Sequence, residues 1–252
     1  MLAAERRKEI LEVLKENGKV IVSELSKKYE VTEETIRRDL EKLEKDGVAE
    51  RTYGGAVLKN SDKEELPFLV RKRANVEAKK EIAKKICEMI HDGDRIMLDA
   101  STTALFVAKQ LRPKKKITII TNSIEILLEL SDMKDWKILS TGGSLRTGAL
   151  SLVGYQAERM VDDFHVDKAI VSCKGVDFEH GFSDSNEFDA GIKKRMLNSA
   201  DVKVMVVDNA KFDKRSFTQI VGINGIDVIA TDMVLSEQWK RKFAEYHVEI
   251  IE

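Results

Sequence analysis

Three short stretches of the chain combine small hydroxyl side chains or glycines with the start of a new element: "LDASTTALFVAKQL", "IITNSIEIL" and "ILSTGGSLR". They supply Ser101, Thr102 and Thr103, then Thr121, Asn122 and Ser123, then Gly142, Gly143 and Arg146. Each begins as an apolar run and ends in a helical or glycine-rich pattern, so the polar residues fall where a strand finishes. Free N–H groups at a helix start, hydroxyls and a guanidinium together make an anion site, with phosphate as the natural guest. Ser, Thr and Asn are also ordinary helix caps, so one such loop alone marks no more than a helix start. Three on one sheet edge favour a ligand. Further on, "SCKGVDFEHGFSDSNEFDAGIKKRM" adds Lys174, Asp177, Glu187 and Lys193 around glycine-rich turns, and "VDNAKFDKRSF" adds Lys211.

A different chemistry lies near the start, in "TEETIRRDLEKLEKDG". Thr32 reads as the cap of a helix whose inner stripe is Ile36, Leu40 and Leu43. Steps of about 100° per residue then turn positions 34, 35, 37, 38 and 41 outward. A helix of this kind enters the major groove of a DNA duplex with its N-terminal part against the bases. Thr32, Glu34, Thr35, Arg37 and Arg38 are the side chains able to reach. Arginine offers a planar fork of donors to guanine or phosphate, and threonine can touch a thymine methyl. A solvated surface helix laced by i, i+4 pairs is the competing account, and the flanking elements weigh against it.

Those elements are legible. "ERRKEILEVLKENGKV" repeats Ile10, Leu11, Val13 and Leu14 at helical spacing and stops at Gly18. A short extended piece follows, then a helix with Ser23 as cap and Leu25 and Tyr29 on one face. After the third helix, ended by Gly47, "VAERTYGGAVL" reads as a hairpin around Gly54 and Gly55. It places Arg51 and Tyr53 beside the helix, toward the DNA backbone or minor groove. Three helices and a hairpin within residues 1–58 make a winged helix-turn-helix. Residues 59–75 are charged and aperiodic, a linker anchored through Phe68 and Leu69, with a short strand of the second domain as the alternative.

From Val76 to residue 252 the pattern changes. A helix leads into apolar runs, "RIMLDA", "ITIIT", "WKILS", "KAIVSC", "VKVMVVD" and "DVIATD", separated by helical patterns starting near Thr102, Ser123, Gly154, Glu187 and Ser236. Strands that are apolar throughout and alternate with helices indicate a mostly parallel sheet covered on both faces. The fold class is α/β, and ligands of such a sheet settle at its carboxyl edge.

The spacing of Arg6, Ile10, Leu14, Thr32, Thr35, Ile36, Arg37, Arg38, Asp39 and Leu40 resembles the DNA-binding signature of the DeoR family of bacterial transcriptional regulators. The wing "RTYGGAV" and the larger domain resemble that family too. Groove geometry does not explain Asp39, which is assigned a structural pairing with an arginine. The resemblance implies a C-terminal sensor similar in fold to ribose-5-phosphate isomerase and CoA transferases, binding phosphorylated sugars. It makes Asp99, Ser101, Thr102 and Thr103 the phosphate loop. Asn122, Gly142, Gly143, Arg146, Lys174, Asp177, Glu187 and Lys211 would form the rest of the pocket. Ser101 departs from the glycine many members carry, which gives up easy access to positive φ.

Composition sets the remaining bounds. The net charge is −1, and the first 59 residues hold 13 Lys plus Arg against 13 Asp plus Glu. Any DNA affinity must therefore come from where charges lie. Cys87 and Cys173, among apolar neighbours without metal-ligand spacing, read as buried reduced thiols. No apolar run approaches the roughly 18 residues of a membrane span, and the first residues lack a secretory h-region. The expectation is a cytoplasmic repressor of a sugar operon, without cofactor or metal. Its partners are operator DNA, a phosphorylated sugar or sugar-alcohol effector, and a second copy in a homodimer or tetramer. The competing readings are a phosphosugar isomerase with a DNA-binding arm, in which Glu187 or Asp177 would be the base, and an architectural DNA binder.

Overall fold

The apolar stripes of the first three helices meet in one small core. Ile10 and Leu14 of α1 (Ala3–Asn17), Leu25 of α2 (Val22–Tyr29), and Ile36, Leu40 and Leu43 of α3 (Glu33–Lys45) are all buried against one another. The computed structural model describes residues 2–46, 48–58 and 66–252. The chain divides into two units, Met1–Ala74 and Asn75–Glu252.

In the first unit, β1 (Lys19–Ile21), β2 (Ala49–Thr52) and β3 (Gly55–Leu58) form an antiparallel sheet in the order β1-β3-β2. The hairpin turns at Tyr53 and Gly54, one residue earlier than the sequence suggests. Gly55 instead starts β3, where a Cβ would lie 1.8 Å from the Val20 carbonyl oxygen. Gly18 ends α1 at φ +73°, the left-handed conformation that glycine adopts without strain. Ser23 does not cap α2. The chain passes directly from β1 into that helix, and the Val22 N–H finds the Gly54 carbonyl at 2.8 Å. Thr32 does cap α3, its hydroxyl accepting from the Thr35 N–H at 3.3 Å. The expected stop at Gly47 lies outside the described residues, as do residues 59–65. In the rest of the 59–75 segment, Phe68–Arg73 form the short helix α4 against α1, not the alternative strand. Phe68 and Val70 are buried there, whereas Leu69 is exposed.

Arg6 and Asp39 tie α1 to α3. Their Nε–Oδ2 distance is 2.6 Å and both side chains are almost wholly buried. Asp39 thus turns inward and has the arginine partner assigned to it.

In the second unit, the elements run α5 (Val76–Glu88), β4 (Arg95–Leu98), α6 (Thr102–Gln110), β5 (Thr118–Thr121), α7 (Ile124–Glu129) and β6 (Lys137–Ser140). The hairpin β7 (Ser144–Arg146) and β8 (Ser151–Val153) follows, then α8 (Tyr155–Asp162), β9 (Val166–Ser172), β10 (Gly175–Asp177), β11 (Gly181–Asp184) and α9 (Glu187–Asn198). The chain closes with β12 (Ala200–Val206), β13 (Thr218–Val221), β14 (Val228–Ala230), α10 (Glu237–Glu245) and β15 (Glu249–Ile251). The main sheet has the order β15-β14-β12-β9-β4-β5-β6 with every pairing parallel. Its six apolar runs and five helix starts lie where the sequence puts them. The seventh strand, β15, the hairpin β7–β8 and the sheet β10-β11-β13 are additions.

Strand order grows outward from β4 through β5 to β6, then restarts at β9 on the other side of β4. The loops leaving β4 and β9 therefore part in opposite directions, and the crevice between them is where an open α/β sheet receives ligands.

A buried pair is costly to break because one charge is left without its partner. Replacing Asp39 by Asn should destabilise the first unit by about 3–5 kcal/mol, and an Arg6→Met, Asp39→Leu pair should recover most of it. Urea denaturation followed by circular dichroism tests this; an Asp39→Asn variant as stable as the parent would contradict it.

Candidate functional site

On the first unit the outer face of α3 and the wing flank a groove of about 600 Å³, lined by Arg37, Arg51, Thr52 and Tyr53 among others. Thr32, Glu33, Glu34, Arg37 and Arg38 are exposed on α3, and Thr35 is half-buried. The Thr32 and Thr35 hydroxyls are 2.9 Å apart. Tyr53 stands fully exposed at the tip of the wing. Of the side chains expected to reach DNA, Arg37, Arg51 and Tyr53 line this groove. Glu44, which the sequence did not single out, accepts from the Arg51 N–H at 3.1 Å and from its Nε at 2.9 Å. The Arg51 N–H and its guanidinium hold the Glu44 carboxyl below the ordinary carboxylate range.

On the second unit the strand-order reversal is bridged by a carboxylate. Asp99, directly after β4, accepts from the Ser101 N–H at 3.1 Å and, across the crevice, from the Ser172 N–H at 3.0 Å. Lys193 of α9 lies 3.3 Å from Asp99 and also bonds Asp184. All three are buried. Burial works to push the Asp184 carboxyl up, but the Lys193 and Lys174 charges outweigh it and hold it below its usual range. Burial works to push the Lys193 ammonium down, and Asp184, Asp99 and Asp189 hold it above its usual range. Lys211 Nζ donates to Ser172 Oγ at 3.0 Å and lies 3.1 Å from Asp208. Cys173 is enclosed beside this network, and burial pushes its thiol up to about 12. Cys87 is only half-buried, unlike the sequence expectation.

Asp99, Ser101, Thr102, Thr103 and Lys211 therefore come together at the reversal. Ser101 sits at φ −79° and caps α6, its hydroxyl accepting from the Ala104 N–H at 3.0 Å. That conformation needs no glycine, which is why serine fits. Asn122 follows the neighbouring strand, and its side-chain amide donates to the Leu152 carbonyl at 3.1 Å. This bond draws the β7–β8 hairpin onto the loop. Gly142 and Gly143 both hold positive φ after β6, and a Cβ on Gly143 would meet the Val153 carbonyl oxygen at 2.6 Å. Arg146 turns to α9, where its guanidinium pairs with Asp189 at 2.8 Å while Ser151 Oγ donates to the same carboxylate at 2.9 Å. The Thr103 hydroxyl and the Asn122 side-chain oxygen are buried without a hydrogen-bond partner.

Asp177 and Glu187 lie outside this network, whereas Lys174 acts on Asp184 through its charge. The Lys174 N–H bonds the Ser183 carbonyl at 2.8 Å at the base of the β10–β11 hairpin. Asp177 is three residues further along, roughly 10 Å of strand, and Arg215 holds it at 2.9 Å. Arg215, with the N–H groups of His180 and Glu179, keeps the Asp177 carboxyl well below the usual range. Glu187 is exposed at the first position of α9. Asp177, Glu179 and His180 are the group among the described residues with ligand atoms close enough for a metal ion. Arg215 already bonds both Asp177 and Glu179, so a guanidinium supplies the positive charge there. The sequence reading missed Ser172, Asp184 and Asp189. Its available signal was Lys193, a lysine on the inner side of a helix, which needs an acid partner.

Residues 6–62 match the DeoR-like helix-turn-helix domain, and residues 74–233 match the DeoR C-terminal sensor domain. The chain belongs to the DeoR family. It is 44% identical over 92% of its length, and 90% of the other chain, to the uncharacterized HTH-type transcriptional regulator YulB of Bacillus subtilis. It is 35% identical over 91% of its length, and 86% of the other, to a putative aga operon transcriptional repressor of Escherichia coli O157:H7. Among solved structures it is similar in fold to the translation initiation factor eIF-2B of Pyrococcus horikoshii OT3. That match has a TM-score of 0.51 and 15% identity, covering 90% of this chain and 95% of that one. This DeoR-family chain is a DNA-binding transcriptional regulator and not an enzyme. No helix among the described residues is long and apolar enough to cross a membrane.

The Lys193–Asp184 pair bears on the acid stability of this DeoR sensor. A carboxyl held below its unfolded value, near 3.9 for Asp, contributes stability that is present above that value and lost as pH falls through the folded one. Asp184 is of this kind, held down by Lys193. Lys193→Met removes the counter-charge and should move acid unfolding to higher pH. Fluorescence of Trp136 and Trp239 against pH reads the midpoint; an unmoved midpoint would show that Lys193 does not stabilise the carboxylates.

Proposed function

We propose that the chain represses a sugar-metabolism operon and that its second unit binds a phosphorylated sugar or sugar alcohol which alters its affinity for DNA. The observation that carries the effector reading is the start of α6 at the strand-order reversal. There the Ser101–Thr103 turn offers first-turn N–H groups, which have no intrahelical acceptor, beside the unpartnered Thr103 hydroxyl and Asn122 oxygen. Arg146, Lys193 and Lys211 are each matched by a carboxylate. A phosphate would therefore be held chiefly by N–H groups, hydroxyls and the helix dipole, with the cations shared. A free sugar offers the dipole no charge. Thr32, Glu34, Thr35, Arg37, Arg38, Arg51 and Tyr53 form the proposed DNA face. Asp99, Gly142, Gly143 and Lys174 complete the effector assignment, with Asp99 as the organiser of the loop, while Asp177 and Glu187 lie outside it.

One winged helix covers a half-site, and its first 59 residues, with no net charge, add little non-specific affinity. The proposed regulator therefore acts as a homodimer or tetramer, in the cytoplasm where its operator lies. An effector changes DNA affinity only if it binds the DNA-competent and DNA-incompetent states unequally.

Replacing Arg37 and Arg38 together by Ala should weaken operator binding, by about 1–3 kcal/mol for each arginine that reads a base, with relaxed specificity. Gel-shift titration on an operator selected from a randomised pool measures it; unchanged affinity in a folded double variant would remove α3 as the reading helix.

Calorimetry of the full chain with matched pairs of sugar and sugar phosphate should show binding of the phosphorylated member alone, weakened in Thr103→Ala. Equal affinity within every pair, or binding indifferent to that substitution, would sink the effector assignment.

A further inference from the structure

Each arginine on the proposed DNA face is held by a glutamate of its own unit. Arg37 Nη2 lies 2.6 Å from Glu33 Oε2, Arg38 Nε lies 3.4 Å from Glu34 Oε1, and Arg51 Nε lies 2.9 Å from Glu44 Oε2. The three pairs are not equivalent. Glu33 and Glu34 occupy the first turn of α3, one turn before their partners, and all four side chains are largely exposed. That turn is the part of the helix that meets the bases and phosphates. Glu44 lies near the other end of α3 and reaches to β2, where it takes both the Arg51 N–H and its Nε. The pairing uses Nε, and the two Nη groups at the far end of the guanidinium are not part of it.

We infer that Glu33 and Glu34 are resident counter-anions that DNA must displace, and that Glu44 is a positioning residue that holds the wing arginine for contact. This rests on the DNA-face reading above. An arginine leaving Glu33 or Glu34 for a phosphate strands a carboxylate beside the polyanion, a penalty that every sequence incurs. A guanine-rich edge offering bidentate bonds to the released guanidinium offsets that penalty at the right sequence alone. The two glutamates thereby widen the gap between operator and arbitrary DNA. They also act within a unit whose Lys plus Arg and Asp plus Glu are equal in number over the first 59 residues, so no background positive charge masks them. Glu44 carries the same charge but does the opposite. Without it the Arg51 side chain loses its tether and its rotamers spread.

Simple charge repulsion predicts that removing any of the three carboxylates strengthens DNA binding. The assignment here predicts opposite signs. The full chain and its Glu33→Gln, Glu34→Gln and Glu44→Gln variants are titrated by fluorescence anisotropy. The probes are a random-sequence duplex and an operator selected from a randomised pool, each over a series of salt concentrations. Glu33→Gln and Glu34→Gln should each raise affinity for the random duplex by about two- to fivefold, the span of an exposed ion pair. They should also steepen the salt dependence, by up to about 0.9 in slope per phosphate gained, and shrink the operator-to-random ratio. Glu44→Gln should lower operator affinity by a similar factor. Glu44→Asp, which keeps the charge and shortens the reach, should lower it too, and it stands in if the Gln variant fails to fold by circular dichroism. Tighter binding in Glu44→Gln with no change in Glu44→Asp would overturn the positioning role. Unchanged or weaker random-duplex binding in the Glu33 and Glu34 variants would overturn the counter-anion role. Failure of the parent chain to select any operator would instead overturn the DNA-face reading itself.

Discussion

Lys193 carries a positive charge into a place with almost no water, and the sensor unit is arranged so that it can stay there. An ammonium removed from water is tolerated only with close carboxylates and further hydrogen bonds to satisfy them. Asp99 comes from the end of β4, Asp184 from the end of β11, and Lys193 from the middle of α9. Asp99 in turn holds the Ser172 N–H at the end of β9. Four separate elements are fixed by one charge and its partners. The loop opening α6, which carries the proposed phosphate contacts, has its shape set by the same carboxylate through the Ser101 N–H.

The parts legible in the sequence are those governed by short-range pattern. Ile36, Leu40 and Leu43 announce α3 because helical periodicity recurs within a few residues, and "VKVMVVD" announces β12 because a strand buried on both faces is apolar throughout. β15 and the two small sheets escaped because strands of three or four residues with mixed polarity have no period to display. Ser23 was misread as a cap because its hydroxyl type suits that role, while the true partner of the helix start, the Gly54 carbonyl, is more than 30 positions away. The candidate site divides in the same way. Ser101 and Asn122 were visible from loop composition, and Asp99 came through the family resemblance. Asp184 and Asp189 were not visible, because the cations they hold lie on elements that only the tertiary fold brings together.

Both proposed binding faces handle charge alike. Arg37, Arg38 and Arg51 are matched by glutamates, and Arg146, Lys193 and Lys211 by aspartates. A chain with 35% charged residues and a net charge of −1 thus keeps its cations where anions must bind without becoming a general polyanion trap. The difference lies in depth. The pairs of α3 are solvated and exchange readily, whereas the pair on Lys193 is enclosed and holds the loops in place.

The parallel neighbours at the strand-order reversal have a further consequence for synthesis. β4 pairs with β9 through Ile96 and Lys168, so the centre of the sheet cannot close until the ribosome has delivered the chain beyond that point. The winged helix closes its contacts within its own short span, and local contacts form faster than distant ones. Domains fold in order as they emerge. On a growing chain the DNA-binding unit is therefore complete while the sensor is still an open set of apolar strands.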